Sequence, residues 1–120
     1  MKREKKIELD KKRTLKMCTR TFPTVENVLD ITMDKMDFEK QETIFALLLG
    51  LLIHEDRTLT LDDVYDILDQ TIEKRMEKEN IVYMEAFGAV LQEVSEAVGE
   101  LMNEEKPKEW PEKFNLDLLF

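Results

Sequence analysis

The feature that most constrains this chain is an apolar run at residues 44–53, IFALLLGLLI, which contains no charged side chain. A membrane-spanning helix needs about twice that length, so the run predicts a helix that other parts of the chain cover on nearly every side. We therefore expect this helix at the centre of the core. Gly50 lies inside the run, and a glycine in a helix costs about 1 kcal/mol relative to alanine. Its presence predicts a close helix crossing or a local irregularity.

Length and charge narrow the class of protein. A chain of 120 residues fits one domain, because it buries enough surface to form a core without disulfides or metals. The formal charge of −9, from 27 acidic and 18 basic residues, disfavours binding to nucleic acid, since that affinity comes mainly from lysine and arginine. Half of the basic residues lie in the first twenty positions. Solvated charge around a hairpin explains them better than an arm that touches nucleic acid or an acidic partner.

The cellular compartment follows from the cysteine and the first residues. Cys18 is the only cysteine, so no internal disulfide forms. The opening segment lacks the apolar centre of a signal peptide. We expect the protein to remain in a reducing cytoplasm, away from the membrane.

The first half of the chain predicts a hairpin and two helices. Residues 6–9 and 14–17 alternate apolar and polar side chains around a four-residue turn at 10–13, the pattern of a β-hairpin. An isolated hairpin is marginal in water, so we expect it to lie against the helices. Thr24 is a candidate N-cap for a first helix that ends near Asp37. Asp37 is then the candidate N-cap of the apolar helix.

The second half predicts two more helices. Thr60, with acids at Asp62 and Asp63 and an apolar pair at Leu59 and Val64, specifies the start of a third helix at position 61. That helix is expected to end where the charged residues 73–79 begin. Asn80 is the candidate N-cap of a fourth, which runs to about residue 103.

The predicted fold class is mainly α. Residues 1–104 form a four-helix domain with a small N-terminal β-hairpin at about residues 6–17. Residues 105–120 form an irregular C-terminal tail, because its prolines cannot continue a helix.

An apolar stripe along the fourth helix is a candidate partner-binding surface. Its members recur at alternating spacings of three and four: Met84, Phe87, Leu91, Val94, Val98 and Leu101. A stripe of this kind either forms a coiled-coil seam or is buried inside the same subunit. Burial inside the same subunit is the favoured alternative, and the stripe leaves open whether the chain forms a homo-oligomer.

The tail is a second candidate partner-binding surface because it is rich in large apolar side chains. These are Trp110, Phe114, Leu116, Leu118, Leu119 and Phe120. A cluster of this kind left in solvent promotes association. The tail is therefore expected to fold back over its own domain, or else to dock on another subunit or another protein.

Residues with catalytic chemistry are scarce. His54 is the only histidine, and at the end of the apolar helix it is better explained as a cap of the last carbonyls than as a catalytic base. Four acids, Glu55, Asp56, Asp62 and Asp63, are a weak candidate for a divalent-cation site, and their spacing does not match an EF-hand loop. We expect neither catalysis, nor a cofactor, nor a metal.

Three short motifs resemble those of tail assembly chaperones from long-tailed, siphovirus-like bacteriophages and prophages. The apolar helix ends in LLIHED, the third helix starts with LTLDDV, and the chain opens with IELDKKRTLKM. The resemblance covers roughly residues 5–102. The chain departs from the family pattern in its Met-rich first helix, in its charged residues 73–79 and in its aromatic tail.

The resemblance implies a non-enzymatic role in the cytoplasm of a bacterial host. Family members bind the tape measure protein, keep its apolar surface from aggregating, help to bring tail-tube subunits to it, and leave before the tail is complete. A small acidic adaptor or regulator, such as an antirepressor or an antitoxin, is the alternative. A metal-dependent accessory subunit centred on His54, Glu55 and Asp56 is a third hypothesis.

Overall fold

The computed structural model describes the backbone of residues 4–105 and the side chains of residues 4–102. Within this part of the chain, an N-terminal hairpin precedes four α-helices and one short 3-10 helix. The elements are β1 (Glu4–Glu8), β2 (Lys12–Lys16), α1 (Thr21–Leu29), the 3-10 helix Met33–Lys35, α2 (Gln41–Leu52), α3 (Leu61–Glu79) and α4 (Tyr83–Glu105). The predicted fold class, mainly helical with four helices and a hairpin, is confirmed. The predicted tail at 105–120 lies almost entirely outside the described residues.

Helix α2 is the centre of the core. Every side chain from Thr43 to Leu52 is buried, and α1, α3, α4 and β2 all pack against this helix. The apolar run is therefore a helix enclosed by its own chain. Because apolar burial contributes about 25 cal/mol for each Å² removed from water, this helix is a main source of stability.

Helix α1 crosses α2 at Gly50. The Thr21 hydroxyl donates a buried hydrogen bond of 3.0 Å to the Gly50 carbonyl oxygen. A Cβ atom added at Gly50 would lie 2.7 Å from the Thr21 carbonyl oxygen and 3.1 Å from a Val25 methyl. Since that space is already filled, the glycine is required by the close crossing.

The predicted bounds of the first helix are wrong at both ends. Helix α1 begins at Thr21, because Pro23 is tolerated in a first turn, where its missing N–H has no helical partner. The Thr24 N–H already bonds to the Arg20 carbonyl at 3.0 Å, so Thr24 is not the N-cap. The helix ends at Leu29 because Asp30 adopts a left-handed conformation, with φ of 55°, which aspartate tolerates better than most residues.

The second helix, in contrast, starts later than predicted. Asp37 does not cap it, since its carboxylate accepts the Glu39 N–H at 3.0 Å within the preceding turn. Helix α2 begins at Gln41, after Lys40 in extended conformation.

The start of α3 is confirmed as a capping box. The Thr60 hydroxyl accepts the Asp63 N–H at 3.2 Å, and the Asp63 carboxylate accepts the Thr60 N–H at 2.8 Å. These two bonds satisfy donors that every helix start leaves unpaired.

The boundary between α3 and α4 differs from the prediction. Residues 73–79 remain helical, and Arg75 pairs there with Glu79 at 3.0 Å and with Glu93 of α4 at 2.7 Å. Asn80 ends α3 in a left-handed conformation, φ 52°, with its N–H bonded to the Met76 carbonyl. It is a C-cap, so the predicted N-cap role is wrong. Helix α4 begins at Tyr83.

The hairpin lies across the helices, as expected. Strand β2 packs on α2 and β1 packs on α4. The register pairs Glu8 with Lys12, so the connecting loop is the three residues 9–11 and not 10–13. Leu15 is fully buried, which ties the small sheet to the core.

Candidate functional site

The turn after α2 holds the hairpin through His54 and Glu55. The His54 Nε2 atom lies 2.8 Å from the Thr14 carbonyl oxygen, and because a carbonyl only accepts, this nitrogen donates. The Thr14 N–H donates to the Glu55 carboxylate at 3.3 Å. The imidazole thus bonds to β2 and not to the last carbonyls of α2, which corrects the capping interpretation.

An ion pair in the hairpin loop adds to this junction. The Arg13 guanidinium donates two bonds to the Asp10 carboxylate, at 2.7 and 2.9 Å, and its third nitrogen lies 3.3 Å from the Glu55 carboxylate. The hydrogen bond from Arg13 lowers the pKa of Asp10, against the opposing effect of partial burial. The same bond raises the pKa of Arg13. The junction therefore fixes the hairpin to the helices, and the lone histidine serves this contact.

Three of the four acids considered as a cation site, Glu55, Asp56 and Asp63, have separate local roles. Asp56 accepts the Thr58 hydroxyl at 2.6 Å and the Thr58 N–H at 2.9 Å, and the hydroxyl bond is the main reason that its pKa is lowered. Asp63 belongs to the capping box. Among the side chains that the structure describes, no three histidine, cysteine, aspartate or glutamate groups come together as a metal site.

The stripe on α4 divides into a buried half and an accessible half. Val94, Val98 and Leu101 are fully buried in the core of the chain itself. Phe87 and Leu91 are half-buried, and Met84 is 70% exposed. A partner therefore has access to the N-terminal half of the stripe, which lies next to the turn between α3 and α4.

We call this accessible surface the corner patch, defined as Val82, Tyr83, Met84 and Phe87. Val82 and Tyr83 are 62% and 48% exposed, and the Tyr83 ring stacks on Phe87 with centroids 6.0 Å apart. The sequence analysis did not include Val82 in a partner-binding surface. A run of four apolar residues, 81–84, directly after the end of a helix is the signal that could have indicated it. Adjacent large apolar side chains left in solvent mark interaction surfaces.

A groove of about 800 Å³ is lined by residues of β1, α3 and α4. Its floor includes the buried side chains of Leu9, Thr71 and Ala97. Charged side chains form the rim, where Lys5 pairs with Glu100 at 2.6 Å and Arg75 pairs with Glu93. Volumes of this size accommodate small ligands or a short peptide segment.

The exposed side of α3 carries an acidic stripe. Its carboxylates are spaced by three or four residues and all are exposed: Asp62, Asp66, Asp69, Glu73 and Glu77. No ion pair within the described part of the chain neutralises them. Like charges at this spacing repel along a helix.

The predicted tail contacts, Trp110, Phe114, Leu116, Leu118, Leu119 and Phe120, lie outside the described residues. They stay a prediction.

Comparison with known proteins gives no family assignment. No protein-family model matches the chain. Neither a curated protein nor a solved structure is significantly similar to it. Within residues 4–105, no helix combines the length and the apolar content that crossing a bilayer requires.

Proposed function

We propose that this chain is a tail assembly chaperone of a long-tailed phage or prophage, which binds the tape measure protein and assists assembly of the tail tube without catalysis. The observation that carries the proposal is the corner patch. It presents Met84, 70% exposed, beside a stacked pair of aromatic rings. Methionine adapts to varied apolar surfaces, which suits a protein that holds a client temporarily.

The resemblance supports the proposal because two of its three motifs contact each other. Arg13 and Thr14, from IELDKKRTLKM, bond to Glu55 and His54, from LLIHED. The third motif, LTLDDV, contains the capping box that starts the next helix. The residues that carry the resemblance thus belong to the scaffold, whereas the corner patch lies outside all three motifs.

The chemistry of the patch indicates the kind of client. An exposed apolar surface of this small size is suited to one face of an amphipathic helix, read at spacings of three and four residues. The net charge of −9 keeps a protein with exposed apolar side chains soluble and disfavours self-association. A long, apolar, helical tape measure protein fits this description.

The test is co-expression with the tape measure protein encoded in the same phage or prophage. The wild-type chain should raise the soluble yield of that protein and co-purify with it. Met84→Asp should weaken the complex by about fivefold or more, since removing a central apolar contact costs more than about 1 kcal/mol. The variant should keep wild-type helicity by circular dichroism, because Met84 is largely exposed.

Ile31→Asp is the matched control. Ile31 is an aliphatic side chain outside the corner patch, 37% exposed, and the change in charge is identical. Its complex should match the wild-type one. No gain in solubility with the wild-type chain, or equal losses in both variants, would contradict the proposal.

The acidic stripe of α3 favours a second candidate, an acidic adaptor or regulator that blocks a basic protein. Stable recovery of a DNA-binding protein with this chain, lost after Asp66→Lys and retained after Met84→Asp, would replace the chaperone proposal.

A further inference from the structure

The two edges of the hairpin differ in how their backbone groups are satisfied. On the β2 edge, the Thr14 N–H and C=O are bound by Glu55 and His54. On the β1 edge, no side chain among residues 4–102 forms a hydrogen bond to a backbone N–H or C=O group. An unpaired strand edge is a template for another strand, and proteins usually cover it.

The register shows which β1 groups point to that edge. Lys6 is directly opposite Thr14. Opposed residues in an antiparallel pair either bond to each other or both direct their N–H and C=O groups outward. Because Thr14 directs both of its groups outward, to His54 and Glu55, Lys6 also directs its groups outward, towards the groove.

The lining of the groove agrees with this orientation. Consecutive residues from Lys5 to Leu9 line it, whereas one face of a strand would contribute only alternate residues. The groove is therefore bounded by the edge of β1. An occupant that excludes water here must supply backbone hydrogen bonds, because a buried N–H or C=O without a partner is destabilising. An extended segment that adds to the sheet does so.

The chain itself contains a segment with the right pattern. Residues 114–120, FNLDLLF, place apolar side chains at alternate positions, 114, 116, 118 and 120, as a half-buried strand requires. At 3.4 Å per residue, seven residues span about 24 Å, enough to cover all of β1. Pro107 and Pro111 precede the segment, so no proline interrupts the ladder.

The linker is long enough to place this segment on β1. Helix α4 ends at Glu105, five residues after Glu100, which lines the groove; this is about 8 Å along the helix axis. Residues 106–113 extend over as much as about 26 Å. The chain therefore leaves α4 close to the Lys5 end of β1, and the linker is longer than the distance that it must span.

The uncharged part of the groove lining and one exposed lysine match the segment. The apolar positions of the segment would face Leu9, Thr71 and Ala97 in the floor of the groove. Asp117 would lie on the opposite, outer side of the sheet, on which Lys6 is exposed. Opposite charges on neighbouring strands attract, which favours this placement.

We infer that residues 114–120 of the same chain bind in this groove as a third strand on the free edge of β1. The surface that remains available to a client is then the corner patch, which lies at the other end of α4.

Amide hydrogen exchange in the full-length chain, without any client, tests the inference. In the wild-type protein the Lys6 amide should exchange at least about tenfold more slowly than the amides of the hairpin loop, because its N–H is bonded. Leu118→Asp should abolish that protection, since it puts a charge against the floor of the groove. Leu119→Asp, the same change on the outer side, should leave the protection intact.

Three results would overturn the inference. One is rapid exchange at Lys6 in the wild-type chain. Another is an equal effect, or no effect, of the two leucine variants. The last is protection of the Lys6 amide that decreases on dilution, together with a dimer detected by light scattering. That result would mean that the segment binds in the groove of a second copy. Because no client is present, none of these results bears on the chaperone proposal.

Discussion

Gly50 and Gly88 are both helical glycines, yet their surroundings are opposite. A Cβ atom at Gly50 would collide with the backbone of α1, whereas one at Gly88 would meet no atom within 4 Å. The same substitution therefore separates two effects, steric overlap at a crossing and the intrinsic preference of the helix for alanine.

We predict that Gly50→Ala lowers the free energy of unfolding by about 1–3 kcal/mol, the usual cost of overpacking a filled core. Gly88→Ala should raise it by up to about 1 kcal/mol through helix propensity alone. Urea denaturation of both variants measures these changes. A neutral Gly50→Ala variant would show that α1 does not cross α2 as closely as described.

Asp10 should make part of the free energy of unfolding depend on pH in the acidic range. Its pKa is lowered by the bond from Arg13, so the paired carboxylate stabilises the folded state fully above the ordinary aspartate pKa of about 3.9. That contribution is lost as the pH falls through the lower folded-state value. Asp10→Asn should therefore reduce stability near neutrality and flatten the loss of stability on acidification.

Chemical denaturation across the acidic range measures this slope. Asp69→Asn, which removes one exposed negative charge away from the Arg13 pair, is the control and should preserve the wild-type slope. An unchanged slope in Asp10→Asn would mean that the pair contributes nothing to stability.

At the scale of single residues, local contacts were predictable and distant ones were not. The capping box at Thr60 and Asp63 is complete within four residues, and the glycine in the apolar run indicated a crossing. The partner of His54 was not predictable, because Thr14 lies forty positions away and only the packing of the hairpin brings them together.

At the scale of elements, the acidic stripe gives α3 a built-in repulsion. Glu73 lies four residues from both Asp69 and Glu77, and all three are exposed. Glu73→Lys replaces two repulsive pairs by two attractive ones, each worth about 0.2–0.5 kcal/mol. We predict a gain of about 1 kcal/mol in the free energy of unfolding, measured by urea denaturation at low ionic strength.

Salt and a second variant separate the local effect from that of net charge. High ionic strength should shrink the gain, since exposed charges are screened. Glu39→Lys makes the same charge change outside the helices and should stabilise less. An equal gain in both variants would assign the effect to net charge.

The element types were predictable and some of their ends were not. Asp30 and Asn80 have side chains that suit an N-cap, but the same two residue types also tolerate the left-handed conformation that ends a helix. Sequence spacing alone does not decide between these roles. Along residues 73–79 of α3, Arg75 pairs with Glu93 of another helix and half-buried Met76 packs against the core, and neither contact could be predicted from the charged sequence alone.

At the scale of the whole molecule, the apolar run fixed the architecture, because a helix with no polar face must have neighbours on all sides. The corner patch was only half visible in the sequence. Periodicity placed Met84 and Phe87 on one stripe with Val94 and Val98. Only the packing of α4 in the folded chain exposes the N-terminal end of that stripe and buries the C-terminal end.

The enclosure of α2 has a consequence for synthesis. The ribosome completes this apolar helix after the hairpin and α1, which pack against one part of its surface. It does so before α3 and α4, which cover the rest. About fifty further residues must be translated first, which takes several seconds at about 5–20 residues per second. A chain proposed to shield the hydrophobic surface of another polypeptide thus passes through a stage at which it needs shielding itself.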